Sequence, residues 1–152
     1  MIYLIALLMG VIAGLRTMTV AAAIAWAAYL GLVKVDGTWL AWLGSIWTVV
    51  IFTVLALGEL VTDQLPSTPS RKVPVQFGGR VVIGAVAGIA IAGPENWVVG
   101  AIAGLIGAVI GTLGGAAVRG QLAVSFGKDG PAAFLEDAVA IIGAALLVLA
   151  LK

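Results

Sequence analysis

The stretch from Gly58 to Arg80, GELVTDQLPSTPSRKVPVQFGGR, concentrates polar chemistry between two runs too apolar for anything but a core or a bilayer. Only 10% of the residues are charged and 62% are hydrophobic, against about 25% charged in ordinary soluble domains. That leaves too little polar surface to coat a soluble globule of 152 residues. The chain therefore reads as a single all-α integral membrane domain over residues 1–152, with the lipid bilayer as its first partner. A net charge of +1 argues against nucleic acid, whose binding needs clustered Lys and Arg against phosphates. Without Cys or His, disulfides, thiolate nucleophiles, sulfur metal sites and the commonest catalytic base are all excluded.

A bilayer core of roughly 30 Å asks for about 20 helical residues. Residues 2–15 and 17–33 are together too long for one span, so they predict two short helices turning near Gly14 and Arg16. Lys34 to Gly37 make a turn, after which Trp39, Trp42 and Trp47 are expected to open a third helix running to about Asp63. Tryptophans favour the membrane interface. Pro66 and Pro69 stop that helix, and Pro74 suits the first turn of a fourth over residues 75–93. A turn at Gly93 to Asn96 leads to a fifth helix over 97–119, then a polar loop over 120–130, then a sixth helix opened by Pro131. In the fifth, Gly100, Gly104, Gly107 and Gly111 form small-residue faces of the kind that let helix backbones approach closely in lipid. Such faces also suit homotypic contact, and a homodimer is expected.

Six segments give a topology of about six short transmembrane helices, with residues 2–15 and 75–93 open to being re-entrant. If all six cross, Arg16, Arg71, Lys72, Arg80, Arg119 and Lys128 gather on one side and Lys34 and Lys152 on the other. The positive-inside rule makes the crowded side cytoplasmic and puts both termini outside.

Sliding the sequence by 57 residues lays 58–87 on 115–144 without a gap, and eight of thirty positions are identical, among them Gln64/Gln121, Pro74/Pro131 and Phe77/Phe134. This reads as an internal helix-loop-helix repeat. Two crossings separate the copies, so they would be parallel repeats about an axis along the membrane normal.

The motifs GLRTMT (14–19), GELVTDQLPSTPSR (58–71), GGRVVIGAVAG (78–88) and FLEDAVAIIGA (134–144) resemble a set of small bacterial membrane proteins. That set is catalogued only as a domain of unknown function, four-one-two-six in its series. The resemblance covers nearly the whole chain and implies a multi-pass protein of the bacterial inner membrane, with no established activity and no cofactor.

Function must then be sought in the charges within or beside the helices. Glu59 and Asp63 lie at i and i+4 on one helix face, where like charges repel. If they lie beyond the hydrocarbon, a solvated interfacial face is expected, above all for Asp63; if they point inward with Glu136 and Asp137, the cluster holds four carboxylates against Arg16, Arg80 and Arg119. Asp137 sits about 9 Å into its helix by a rise of 1.5 Å per residue, too deep to snorkel, and wants a cation, a proton or water. The repeat places Arg80 and Asp137 at equivalent positions, which makes them expected partners. With Arg16, Arg119 and Glu136 these residues form a candidate pocket for an ion or small solute on the cytoplasmic side. A proton, a hard cation held by oxygens or an anionic headgroup held by the arginines would each suit it, and a metal is left open. A transporter or channel accounts for buried charges of both signs, repeats and short helices. The alternative is a non-transporting assembly or scaffold protein whose charges are structural. An enzyme is not expected, since there is no serine triad and no Gly-x-Gly-Asp element.

Overall fold

A computed structural model describes residues 1–65 and 73–152, and these form six α-helices and one 3-10 turn with no strand. The helices are α1 (Ile2–Leu15), α2 (Thr17–Tyr29), α3 (Ile46–Thr62), α4 (Pro74–Ala92), α5 (Trp97–Phe126) and α6 (Asp129–Leu149), with the 3-10 turn at Ala41–Gly44. The proline-bounded segment with Pro66, Pro69, Arg71 and Lys72 lies outside the described residues.

Local chemistry explains where the helices stop. Arg16 takes an extended conformation (φ −139°, ψ 102°) and divides α1 from α2 at a single residue. Pro74 occupies the first position of α4, where its missing N–H costs nothing. Gly93 ends α4 at φ 79°, a region L side chains avoid, and Pro94 follows it. Four boundaries depart from the sequence reading, the first being the end of α2 at Tyr29 rather than near residue 33. Trp39 and Trp42 precede the third helix, which starts at Ile46 with the Ser45 side chain accepting the Trp47 amide. Residues 120–126, expected as polar loop, continue α5, and α6 begins at Asp129 rather than Pro131. Only Gly127, left-handed at φ 68°, and Lys128 separate the two helices. A helix holds its own amides and carbonyls wherever it ends, so polar side chains past the hydrocarbon do not oblige the backbone to unwind.

The long α5 also bears on the repeat. Gln64 and Leu65 lie in the turn after α3, whereas their counterparts Gln121 and Leu122 are inside α5. Across the connection, then, the sequence correspondence is not one of secondary structure.

α1 is the central element. It packs against α5 and α4 and also touches α6 and α2, and its buried residues, from Ile5 to Gly14, cover a broad face rather than a narrow stripe. Contact is close because glycine meets backbone. A methyl on Gly104 would overlap the Gly84 carbonyl of α4, and one on Gly100 the Gly88 carbonyl. Methyls on Gly107 and Gly111 would overlap carbonyls of Leu7 and Val11 in α1. The glycine faces of α5 that suggested homotypic contact are thus occupied within one chain. α3 sits apart, packing on α2 and the 3-10 turn with Val49 as its one fully buried residue.

α4, α5 and α6, with 19, 30 and 21 residues, are long and apolar enough to cross a membrane. α1, α2 and α3 have 14, 13 and 17 residues and fall short of that length, so the expectation of six spans reduces to three on this measure. The two arms α1 and α2 diverge from Arg16, and their far ends at Ile2 and Leu32 line a common cavity of about 570 Å³ with Gly93 to Asn96 and Leu151. The bundle therefore has two distinct ends. One carries these termini and turns, with every Trp and Tyr in the chain placed toward it. The other gathers the Arg16 turn, the end of α3 and the starts of α4 and α6.

Candidate functional site

The charged end is built outward from the Arg16 turn. Ending α1 leaves carbonyls without helical partners, and starting α2 leaves amides in the same condition. Arg80, from the second turn of α4, donates through Nη1 to the Gly14 and Leu15 carbonyls, each at 2.9 Å. Glu59, from the last turn of α3, accepts the Thr17 amide at 3.0 Å and the Met18 amide at 2.9 Å. Each helix end receives the charge that opposes its dipole.

The Arg16 side chain is fully buried. Its Nε donates to Asp137 Oδ1 at 2.5 Å, its Nη2 is ion-paired with the same carboxylate and its Nη1 with Asp63. Glu136 stands 3.8 Å from Nη2. The second oxygen of Asp137 accepts from Gln64 Nε2 at 3.0 Å. One guanidinium from the α1–α2 turn thereby ties α3 to α6. Nη2 makes its ion pair without hydrogen-bond geometry and is the least satisfied nitrogen of the group.

Arg119 forms the outer layer. It holds Asp129 through Nε at 2.9 Å and Nη2 at 2.5 Å and Glu136 through Nη1 at 3.3 Å. It also reaches the Asp63 backbone carbonyl at 3.3 Å and the Asp63 carboxylate at 3.6 Å. This contact exists only because α5 continues past the bilayer-length segment and returns through a two-residue connection. Beneath it an apolar cavity of about 310 Å³ between α1, α5 and α6 runs from Val11 and Ile110 up to Arg119 and Glu136.

All seven residues singled out in the sequence thus lie at this end, in two groups. Arg16, Asp63, Arg119, Glu136 and Asp137 contact one another, whereas Glu59 and Arg80 serve the two sides of the turn. The expected Arg80–Asp137 pair is replaced by Arg16–Asp137, because α1, not a pseudo-symmetric α4, lies beside α6 at that depth. Of the two placements open to Asp63, the structure shows the inward one, with 13% of its side chain exposed. Sequence reasoning misses two further members of the cluster, Gln64 and Asp129. The Gln64/Gln121 identity was a signal for the first. Asp129 falls in the stretch that reads as polar loop, where an acidic residue carries no signal of its own. Among the described residues no three carboxylates come together in a way that would hold a metal ion.

An all-helical bundle with membrane-length helices and a charged cluster confined to one end defines a membrane-protein class of unassigned chemistry. The chain belongs to the family described as a domain of unknown function, DUF4126, whose model matches residues 3–151. No curated protein matches it, and no solved structure does.

Proposed function

We propose that this protein is a small multi-pass transporter or channel for an ion or small solute, with the cluster around Arg16 as its site on the cytoplasmic face of a bacterial inner membrane. The observation that carries the reading is a fully buried arginine at a helix break, held by carboxylates that two other helices supply. Charges within membrane segments are costly and mark ion and proton pathways. Among the described residues, the carboxylates of Asp63, Asp129, Glu136 and Asp137 meet the guanidinium groups of Arg16 and Arg119, a set of both signs that suits a proton or an ion as the coupled species.

The scaffold alternative has its own support, since Glu59 and Arg80 act as helix-end partners and need no substrate. Uptake separates the two. Proteoliposomes carrying the protein should accumulate one member of a panel of ions and small solutes, and Asp137→Asn should abolish that uptake while the protein stays folded. If exchanging the pair, Arg16→Asp with Asp137→Arg, restores full uptake together with folding, the charges are glue and the site is elsewhere.

In this reading α1 to α3 cross with α4 to α6 as three hairpins, the short helices lying where the bilayer thins, and both termini face outward. A cysteine introduced at Gly37 should react with an impermeant maleimide on intact cells, and one at Ser125 should not. Reaction at Ser125 reverses the orientation.

A further inference from the structure

α3 is two regions in one helix. Its first half is fixed by packing: Val49 is buried, Phe52 meets Trp42 edge to face, and Thr53 accepts from the Trp26 indole. Between Val54 and Thr62 no residue is fully buried, and the polar contacts this half makes with other described helices lie at its end. Glu59 reaches the α2 amides, Asp63 reaches Arg16 and Arg119, and Gln64 reaches Asp137. Directly before them stands Gly58, and a methyl there would meet open space. No close approach requires glycine at this position, unlike Gly104 or Gly107, yet glycine weakens a helix interior.

We propose that the end of α3 from Glu59 to Leu65 is a gate that pivots at Gly58 and regulates access to the Arg16–Asp137 pair. This rests on the transport reading, and it assigns the moving part. When the gate is closed, Asp63 and Gln64 cover the pair. When it swings out, Arg16 keeps Asp137 and Glu136 but loses Asp63, so one face of the cluster meets water from the charged end. The first half of α3 stays in place, because the contacts of Val49, Phe52 and Thr53 lie toward the other end.

The chain has no cysteine, so paired nitroxides can be placed cleanly. Val61→Cys with Val124→Cys reports the gate, and Val54→Cys with Leu113→Cys reports the body of α3; all four positions are exposed. Electron-resonance distances in nanodiscs should show two populations for the first pair, the longer one minor, and a single population for the second. Asp63→Asn with Gln64→Ala should make the longer distance dominant. Should that variant fail to fold, Gly58→Ala, which meets no neighbour, should by itself deplete the longer population about four- to fivefold, the ratio corresponding to the helix cost of glycine. One distance that neither change alters, or a second pair that moves in step with the first, overturns the pivot. Linking the first pair at its shorter distance with a thiol crosslinker should stop uptake. Uptake that continues sinks the gate and leaves transport standing, whereas a moving gate in a protein that takes up nothing sinks transport and leaves the pivot.

Discussion

The two ends of this bundle solve the membrane interface in opposite ways. At one end Tyr3, Tyr29, Trp39, Trp47 and Trp97 present large exposed rings, which suit a headgroup layer without requiring any one partner. At the other, the described arginines Arg16, Arg80 and Arg119 each have named partners at hydrogen-bond or ion-pair distance. The difference follows from cost. An aromatic ring tolerates lipid, water or protein as its neighbour, whereas a charge removed from water has to be paired and hydrogen-bonded. Geometry at the charged end is therefore specified atom by atom, and at the aromatic end only by depth.

The comparison is broken most directly by truncating one residue at each end. Arg16→Ala leaves Asp137 and Asp63 without their shared cation, and removing one partner of a buried pair costs about 3–5 kcal/mol. Trp47→Ala, at a ring that is 74% exposed, should change stability by no more than about 0.5 kcal/mol, as exposed positions usually do. Thermal unfolding of the detergent-solubilised variants measures both. Equal losses would mean that the ends are held alike and that the contrast is one of appearance.

Between the ends, the glycine contacts set a second test of intermediate size. Gly104→Ala forces α4 and α5 apart at the Gly84 carbonyl and should cost about 1–3 kcal/mol, the range for overpacking a tight core. Gly114→Ala lies on the same helix with open space around it and should be neutral or stabilising by up to about 1 kcal/mol. If the two behave alike, the close approach does not hold the bundle together.

What is legible in the sequence divides along the same lines. Helix type and most boundaries are readable because apolar length, Pro74, Gly93 and Pro94 act locally. So is the break at Arg16, since a charge interrupting an apolar run has to be placed somewhere. The partners are not readable. Arg80 and Asp137 are equivalent along the chain, but which cation meets Asp137 depends on α1 lying at the centre of the bundle, and nothing in an apolar run of 14 residues says whether it lies inside or outside. The two faces of α5 are equally hidden, since Gly100 and Gly104 serve α4 while Gly107 and Gly111 serve α1, and spacing alone does not name a neighbour. The continuation of α5 through Phe126 escapes a reading of composition, because polar residues past the hydrocarbon look the same in a helix as in a loop.

A smaller loss than at Arg16 is expected at Glu59, and it refines what pairing means at the charged end. Its carboxylate faces the Thr17 and Met18 amides at the start of α2 rather than an arginine. A charge at a helix terminus contributes about 0.3–1 kcal/mol, and up to about 2 where it is partly buried, well below an ion pair buried like that of Arg16. Glu59→Gln keeps one oxygen for one of the two amides and sets an amide nitrogen against the other, so it removes the charge and one acceptor and should lower stability by about 1–2 kcal/mol. Glu59→Ala removes the remaining acceptor and leaves both amides to find water, adding up to about 1 kcal/mol as at other lost caps. A loss in Glu59→Gln as large as that in Arg16→Ala would mean that the charge, rather than the cap, matters, and would place Glu59 inside the ion-pair cluster instead of beside it.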